Sequence, residues 1–211
     1  MDNAIAADDI VEISPTWRRV TDLVDLVEIF DPAVQVCTWK RDIDPAITTY
    51  LASLDHSGMQ QTLETLSATD EPRLDNLPEG SGRTALRKDI AFLREILCEL
   101  LGCQAVGLRV ARLRHAMCPG WHLDQTGMRL VCTYQGPGTQ WLEQQGIDVS
   151  NLGHGTNGNR HCIEATPGEI VLLKGNRWQD NERFGAIHRS PEPTADAAVR
   201  TLVTLDPLWR T

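Results

Sequence analysis

Apolar positions in the first hundred residues recur mostly at helical spacing. Val20, Leu23, Val24, Val27 and Phe30 trace one such stripe, with Asp31-Pro32 as its stop. Asp44-Pro45 opens a second helix, with proline at the first helical position, that runs through AITTYLASLDHSG and halts near Gly58. The string TDEPRLDNLPEGSG, Thr69 to Gly82, is rich in turn formers and reads as a surface loop. A third helix over Thr84 to Leu101 is the clearest element, since Leu86, Ile90, Leu93 and Leu97 share one face and Gly102 supplies the cap.

After Gly102 the pattern changes to short strands between turns. VGLRVARL (Val106 to Leu113), RLVCTY (Arg129 to Tyr134), Thr139 to Leu142, the buried run in PGEIVLLKG and RTLVTL (Arg200 to Leu205) each read as a strand. Residues 143 to 161 form a polar, Gly- and Asn-rich excursion. Helices followed by strands predict an α+β chain: a double-stranded β-helix, that is a cupin-like jelly roll, over residues 103–211. A mainly helical region, residues 1–102, packs outside it in one compact unit.

Composition narrows the classes of function. A net charge of −9 lacks the basic stripe of a phosphate-backbone partner, so no nucleic acid is expected. No apolar run reaches membrane-spanning length and the acidic MDNAIAADDI is unlike a signal peptide, so no membrane is expected either. Six scattered cysteines without a C-x-x-C pair point to a reducing, cytoplasmic setting rather than a disulfide framework. Cys98 and Cys103 read as small buried hydrophobes.

The chemistry concentrates in CPGWHLDQTGMRLVCTYQGPGTQW, Cys118 to Trp141. In an extended segment residues two apart share a face, so His122 and Asp124 converge. A second imidazole, His188 in FGAIHRSP, completes a two-histidine, one-carboxylate metal triad with open positions. Trp121, Trp141 and Trp178 read as packing residues rather than pocket lining. His154, His161 and Cys162 read as loop residues, since their spacing fits no standard zinc pattern. His115 and Cys118 sit close before the pair without a metal-ligand spacing of their own.

The order of H-x-D pair, PGEIVLLKG turn and strand, distal histidine and basic residue resembles the iron- and 2-oxoglutarate-dependent oxygenases. That resemblance implies Fe(II) on His122, Asp124 and His188, which would act as the catalytic centre, and Arg200 paired with the distal carboxylate of 2-oxoglutarate. The chain departs from that pattern in a slightly longer gap between His188 and Arg200, and in Leu202, where many members carry a hydroxyl. Arg129 is therefore a rival anchor, with Tyr134 and Thr139 as supporting hydroxyls. PGWHLDQTGMRLVCTYQGPGTQWL and PGEIVLLKGNRWQDNERFGAIHRSP further resemble the bacterial domain-of-unknown-function family 1826, some of whose members are associated with zinc-responsive gene neighbourhoods. The implied function is a dioxygenase hydroxylating an unidentified small-molecule or protein substrate, with the excursion 143–161 as part of a lid. The alternative is a non-enzymatic binder of zinc or another divalent metal in metal homeostasis.

Overall fold

The computed structural model describes residues 16–54, 60–143, 162–182, 184–191 and 199–209. It is an α+β structure. Strands β1 (Trp17–Val20), β2 (Val36–Trp39), β3 (Gln60–Ser67), β4 (Ala105–Leu113), β5 (Met128–Gln135), β8 (Ile170–Lys174) and β10 (Arg200–Leu208) form one sheet. Its order is β1-β2-β8-β5-β10-β4-β3. Strands β6 (Gln140–Leu142), β7 (Cys162–Glu164) and β9 (His188–Arg189) form a second, in the order β7-β6-β9. A lone bridge between His122 and His188 adds the H-x-D segment beside β9. From β4 onward the chain thus crosses repeatedly between two sheets, and every pairing except β1 with β2 is antiparallel.

Alternation along the strands separates two cores. Leu130, Cys132 and Tyr134 of β5, with Leu172 of β8 and Val203 and Leu205 of β10, face helix α2 (Ser81–Leu101). Val131, Val171, Leu173 and Leu202 point the other way and meet Trp141 of the smaller sheet, with Ala165 just after β7 and Ala186 just before β9. The large sheet is therefore buried on both faces, by a helix layer and by a second sheet. Helix α2 keeps the predicted stripe, with Leu86, Ile90, Leu93 and Leu97 all fully buried. It ends at Gly102 in the left-handed conformation (φ 64°), where glycine has no Cβ to strain the turn.

The N-terminal residues are less helical than their spacing predicts, because β1, β2 and β3 lie among them and join the large sheet. The stripe from Val20 to Phe30 forms a 3₁₀ helix, Leu23–Phe30. At three residues per turn, positions i and i+3 eclipse. Leu26 and Ile29 therefore point inward, while Val24, Val27 and Phe30 are exposed. The second helix, α1 (Pro45–Ser53), begins where expected, with the Asp44 carboxylate accepting from Ala46 N at 2.8 Å. It ends at Ser53, where Leu54 turns extended, short of the expected stop near Gly58, a residue outside those described. Strand β3 shows little apolar signal because the sheet edge it occupies leaves Leu63 largely in solvent. All six cysteines are free, and Cys98 and Cys103 are buried as expected.

One polar cluster ties the helix layer to the sheet. Arg41, just after β2, donates to both oxygens of Asp89 on α2, at 2.6 and 2.7 Å. The hydroxyl of fully buried Tyr134 donates to the same carboxylate. Burial works against the Arg41 charge, but the Asp89 contact outweighs it and raises the guanidinium above its ordinary value. Removing one partner of such a pair strands the other in a dry site. Asp89→Ala is expected to destabilise the fold by about 3–5 kcal/mol, read from the shift in a urea or guanidinium unfolding midpoint.

Candidate metal centre

The site is built by a two-way backbone exchange. His122 N donates to His188 O at 3.1 Å and His188 N donates to His122 O at 3.0 Å, so the two residues sit directly opposite each other. Their rings come to 4.4 Å between centroids. The Nδ1 atom of His122 lies 3.0 Å from Gly120 O, and that of His188 lies 2.8 Å from Ala186 O. A carbonyl only accepts, so both Nδ1 atoms carry the proton and both Nε2 lone pairs are left for another partner. Both face Asp124: His122 Nε2 is 3.5 Å from Oδ1 and His188 Nε2 is 3.7 Å from Oδ2. One ligand atom from each of the three residues lies within 4.8 Å of the others, the grouping that an ion would draw together.

Electrostatics give His188 and Asp124 the protonation states that a metal requires, and favour the charged form of His122. Burial lowers the His188 imidazole to about 4, with Asp124 partly offsetting it, so the ring is neutral at pH 7. Burial alone would raise the Asp124 carboxyl, but His122, His188 and Arg129 outweigh it and hold the group near 2. His122 is raised by its contact with Asp124 against the opposing effect of burial. The centre thus offers an ionised carboxylate beside a neutral, buried ring.

A second group lies deeper between the sheets. Arg200, at the start of β10, is 1% exposed. Its Nε donates to Pro137 O at 2.9 Å, Nη1 to Ser190 Oγ at 3.1 Å, and Nη2 to Thr139 Oγ1 at 2.9 Å and Thr133 Oγ1 at 3.4 Å. Among the described residues no carboxylate reaches ion-pair distance of this guanidinium, and burial lowers it to about 10. A dry cation ringed by hydroxyls suits an incoming anion. Arg129 is placed differently. It makes ion pairs with Asp124 and, through two nitrogens, with Asp206, so its fork is engaged by protein carboxylates.

Tyr134 lies away from both groups. Strand parity turns it to the helix-facing side of β5, where its hydroxyl meets Asp89, so it cannot support an anchor at Arg200. The residues that do surround the site were detectable by the same parity. Thr133 is next to Tyr134 and faces inward, Ser190 is two residues beyond His188, and Asp206 shares the face of Arg200. Trp121 packs with Leu142 and Ile187 under Arg189 (4.4 Å), Trp141 packs edge-on to Trp17 (5.8 Å) and Trp178 packs against Phe30 (5.9 Å). His115 and Cys118 are exposed and outside the cluster, while His154, His161 and residues 144–161 lie outside the described residues.

Glycine seats the Asp124 segment. The turn after β8 lies along the Asp124 segment, with Gly175 N donating to Gly127 O (2.9 Å), Asn176 N to Asp124 O (3.1 Å) and Arg177 N to Thr126 O (3.0 Å). A Cβ on Gly175 would stand 2.1 Å from Thr126 O and 2.8 Å from Asp124 O. Neither is a side chain that can swing aside. Gly175→Ala is expected to cost about 1–3 kcal/mol in denaturant unfolding. It should also weaken binding of added divalent metal, measured by titration of the metal-free protein.

No curated protein matches the sequence. Solved structures do. One is a candidate oxygenase from Shewanella oneidensis (TM-score 0.52, 13% identity, 90% of this chain and 88% of that one). Another is dioxygenase for auxin oxidation 1 from Arabidopsis thaliana with 2-oxoglutarate (TM-score 0.50, 9% identity, 92% of each chain). A Pseudomonas putida prolyl-4-hydroxylase overlaps more loosely (TM-score 0.44, 14% identity, 90% of this chain and 100% of that one). At these identities the likeness is one of fold. In sequence, the model of the family described as protein of unknown function DUF1826 matches residues 20–206, and the chain belongs to that family.

Proposed function

We propose that this protein is an iron(II)- and 2-oxoglutarate-dependent oxygenase that hydroxylates a small-molecule or protein substrate. The observation that carries the reading is Arg200, a fully buried guanidinium that meets three hydroxyls and, among the described residues, no carboxylate at ion-pair distance, in the same inter-sheet interior as the His122, Asp124 and His188 cluster. Burying a charge without a counter-ion is costly, and a dicarboxylate cosubstrate would supply that counter-ion. Only Arg189 separates His188 from Ser190, which contacts Arg200, so β9 and the residue after it link the two groups. The jelly-roll fold of the 2-oxoglutarate-bound dioxygenase supports the same reading.

In this assignment His122, Asp124 and His188 hold Fe(II) through Nε2, a carboxylate oxygen and Nε2. Arg200, Thr133, Thr139 and Ser190 hold the distal carboxylate of 2-oxoglutarate. Iron with its cosubstrate supplies the oxidising power for hydroxylation. The chain's own contribution is to keep His188 neutral, Asp124 ionised and the anion anchor dry. Residues 103–211 carry these groups. The described residues before 103 extend and back the sheet, which supports one compact unit. Six free thiols suit a reducing cytoplasm, and no helix among the described residues is long and apolar enough to cross a membrane. The acidic chain gives no reason to expect a nucleic-acid partner.

The competing reading is a zinc or divalent-metal binder without catalysis. The His-Asp-His donor set suits zinc as well as ferrous iron. It leaves the lone cation at Arg200 without a purpose. Anaerobic Fe(II) with 2-oxoglutarate is expected to give a metal-to-ligand charge-transfer absorption that His122→Ala abolishes. Arg200→Gln should weaken 2-oxoglutarate binding by roughly thirtyfold, the equivalent of about 2 kcal/mol for a buried charge partner. Bound Fe(II) without that absorption would leave the metal-binder reading in place.

A further inference from the structure

Asp124 does not stand alone. Its Oδ2 accepts from Arg129 Nη1 at 2.6 Å and lies 3.7 Å from His188 Nε2, while Oδ1, 3.5 Å from His122 Nε2, takes no part in the arginine contact. Arg129 is itself gripped side-on, its Nε 2.7 Å from Asp206 Oδ1 and its Nη2 3.0 Å from Asp206 Oδ2. All three side chains are more than half buried, the most exposed being Asp206 at 35%. A guanidinium is rigid and planar, so two bonds to Asp206 fix the direction in which its remaining nitrogen points. That direction is toward Asp124. The carboxylates belong to segments far apart in sequence, Asp124 between the H-x-D bridge and β5, Asp206 near the end of β10.

We infer that Arg129, oriented by Asp206, is a positioning residue that holds Asp124 by one oxygen and presents the other to the metal. The inference rests on the reading of His122, Asp124 and His188 as ligands. A carboxylate free to rotate about its χ2 must be ordered when the ion arrives and can offer both oxygens at once. The arginine removes that freedom in advance. A one-oxygen ligand also leaves an additional place on the ion for water or another incoming group. Partners that orient a ligand in this way commonly change metal affinity by tenfold or more when removed. The chain of carboxylate, guanidinium and carboxylate keeps the arginine's charge balanced, so it need not repel the ion as a lone cation would.

The test uses Mn(II) alone with the full chain freed of metal. Affinity is read from the EPR signal of free Mn(II), and coordinated water is counted by pulsed EPR in ¹⁷O-labelled water. Arg129→Met is expected to bind Mn(II) about tenfold or more weakly, and with one water fewer as Asp124 turns to chelate. Asp206→Ala should weaken binding in the same direction. Added to Arg129→Met, it should weaken binding no further, because both act through one contact. If Arg129→Met does not fold, Asp206→Ala carries the test with the same two readouts. Binding as tight as in the unaltered chain, with an unchanged water count, overturns the inference while leaving the metal site standing. An unaltered chain that takes up no Mn(II) overturns the metal assignment and this inference with it.

Discussion

The site depends on one reciprocal pair of backbone hydrogen bonds, between His122 and His188. Neither histidine has a sequence neighbour that would bring it to the other. An antiparallel bridge fixes both backbones, places the two side chains on a common face and sets their rings almost in contact. Asp124, two residues beyond His122, then falls on the same side by strand parity alone. The local chain around it is held by the turn after β8, which closes on Gly127, Thr126 and Asp124 through three main-chain bonds. Main-chain pairing therefore does most of the positioning, and side chains refine it.

Burial supplies the chemistry that pairing cannot. The interior between the two sheets contains Val131, Val171, Leu173, Leu202 and Trp141, a dry lining. In such surroundings an imidazole prefers to be neutral, and a guanidinium with no carboxylate at ion-pair distance among the described residues retains a need for an anion. Arg129 and Arg200 show how position divides one residue type. The first meets two carboxylates and serves the structure of the centre. The second meets hydroxyls and a carbonyl, and so keeps its charge available.

The triad pattern and the strands β4, β5, β6, β8 and β10 were legible in the sequence, because H-x-D needs only period-two geometry and the apolar runs after Gly102 are bounded by turn residues; β9, which carries His188, is too short to show. Helix α2 was legible because its stripe is long and unbroken. The misplaced parts share a cause: a short window hides which neighbour an element will meet. The Val20 to Phe30 stripe fits a helix, but its 3₁₀ period buries Leu26 and Ile29 instead of Val24 and Val27. Strands β2 and β3 are short or weakly apolar, and their identity comes from the sheet they join. Tyr134 has the hydroxyl a supporting residue needs, but its parity sends it to the helix side with Asp89. Counting odd and even positions from Arg129 would have put Thr133 in its place.

β10 carries Arg200 at its first residue and Asp206 near its last, both on the inter-sheet face. Their even separation means that a single inserted or deleted residue between them would send one to the helix side while the other stayed. Natural variants of this family should therefore tolerate substitutions along that strand far more readily than changes in its length. The strand acts as a ruler whose two marked ends must be moved together or not at all.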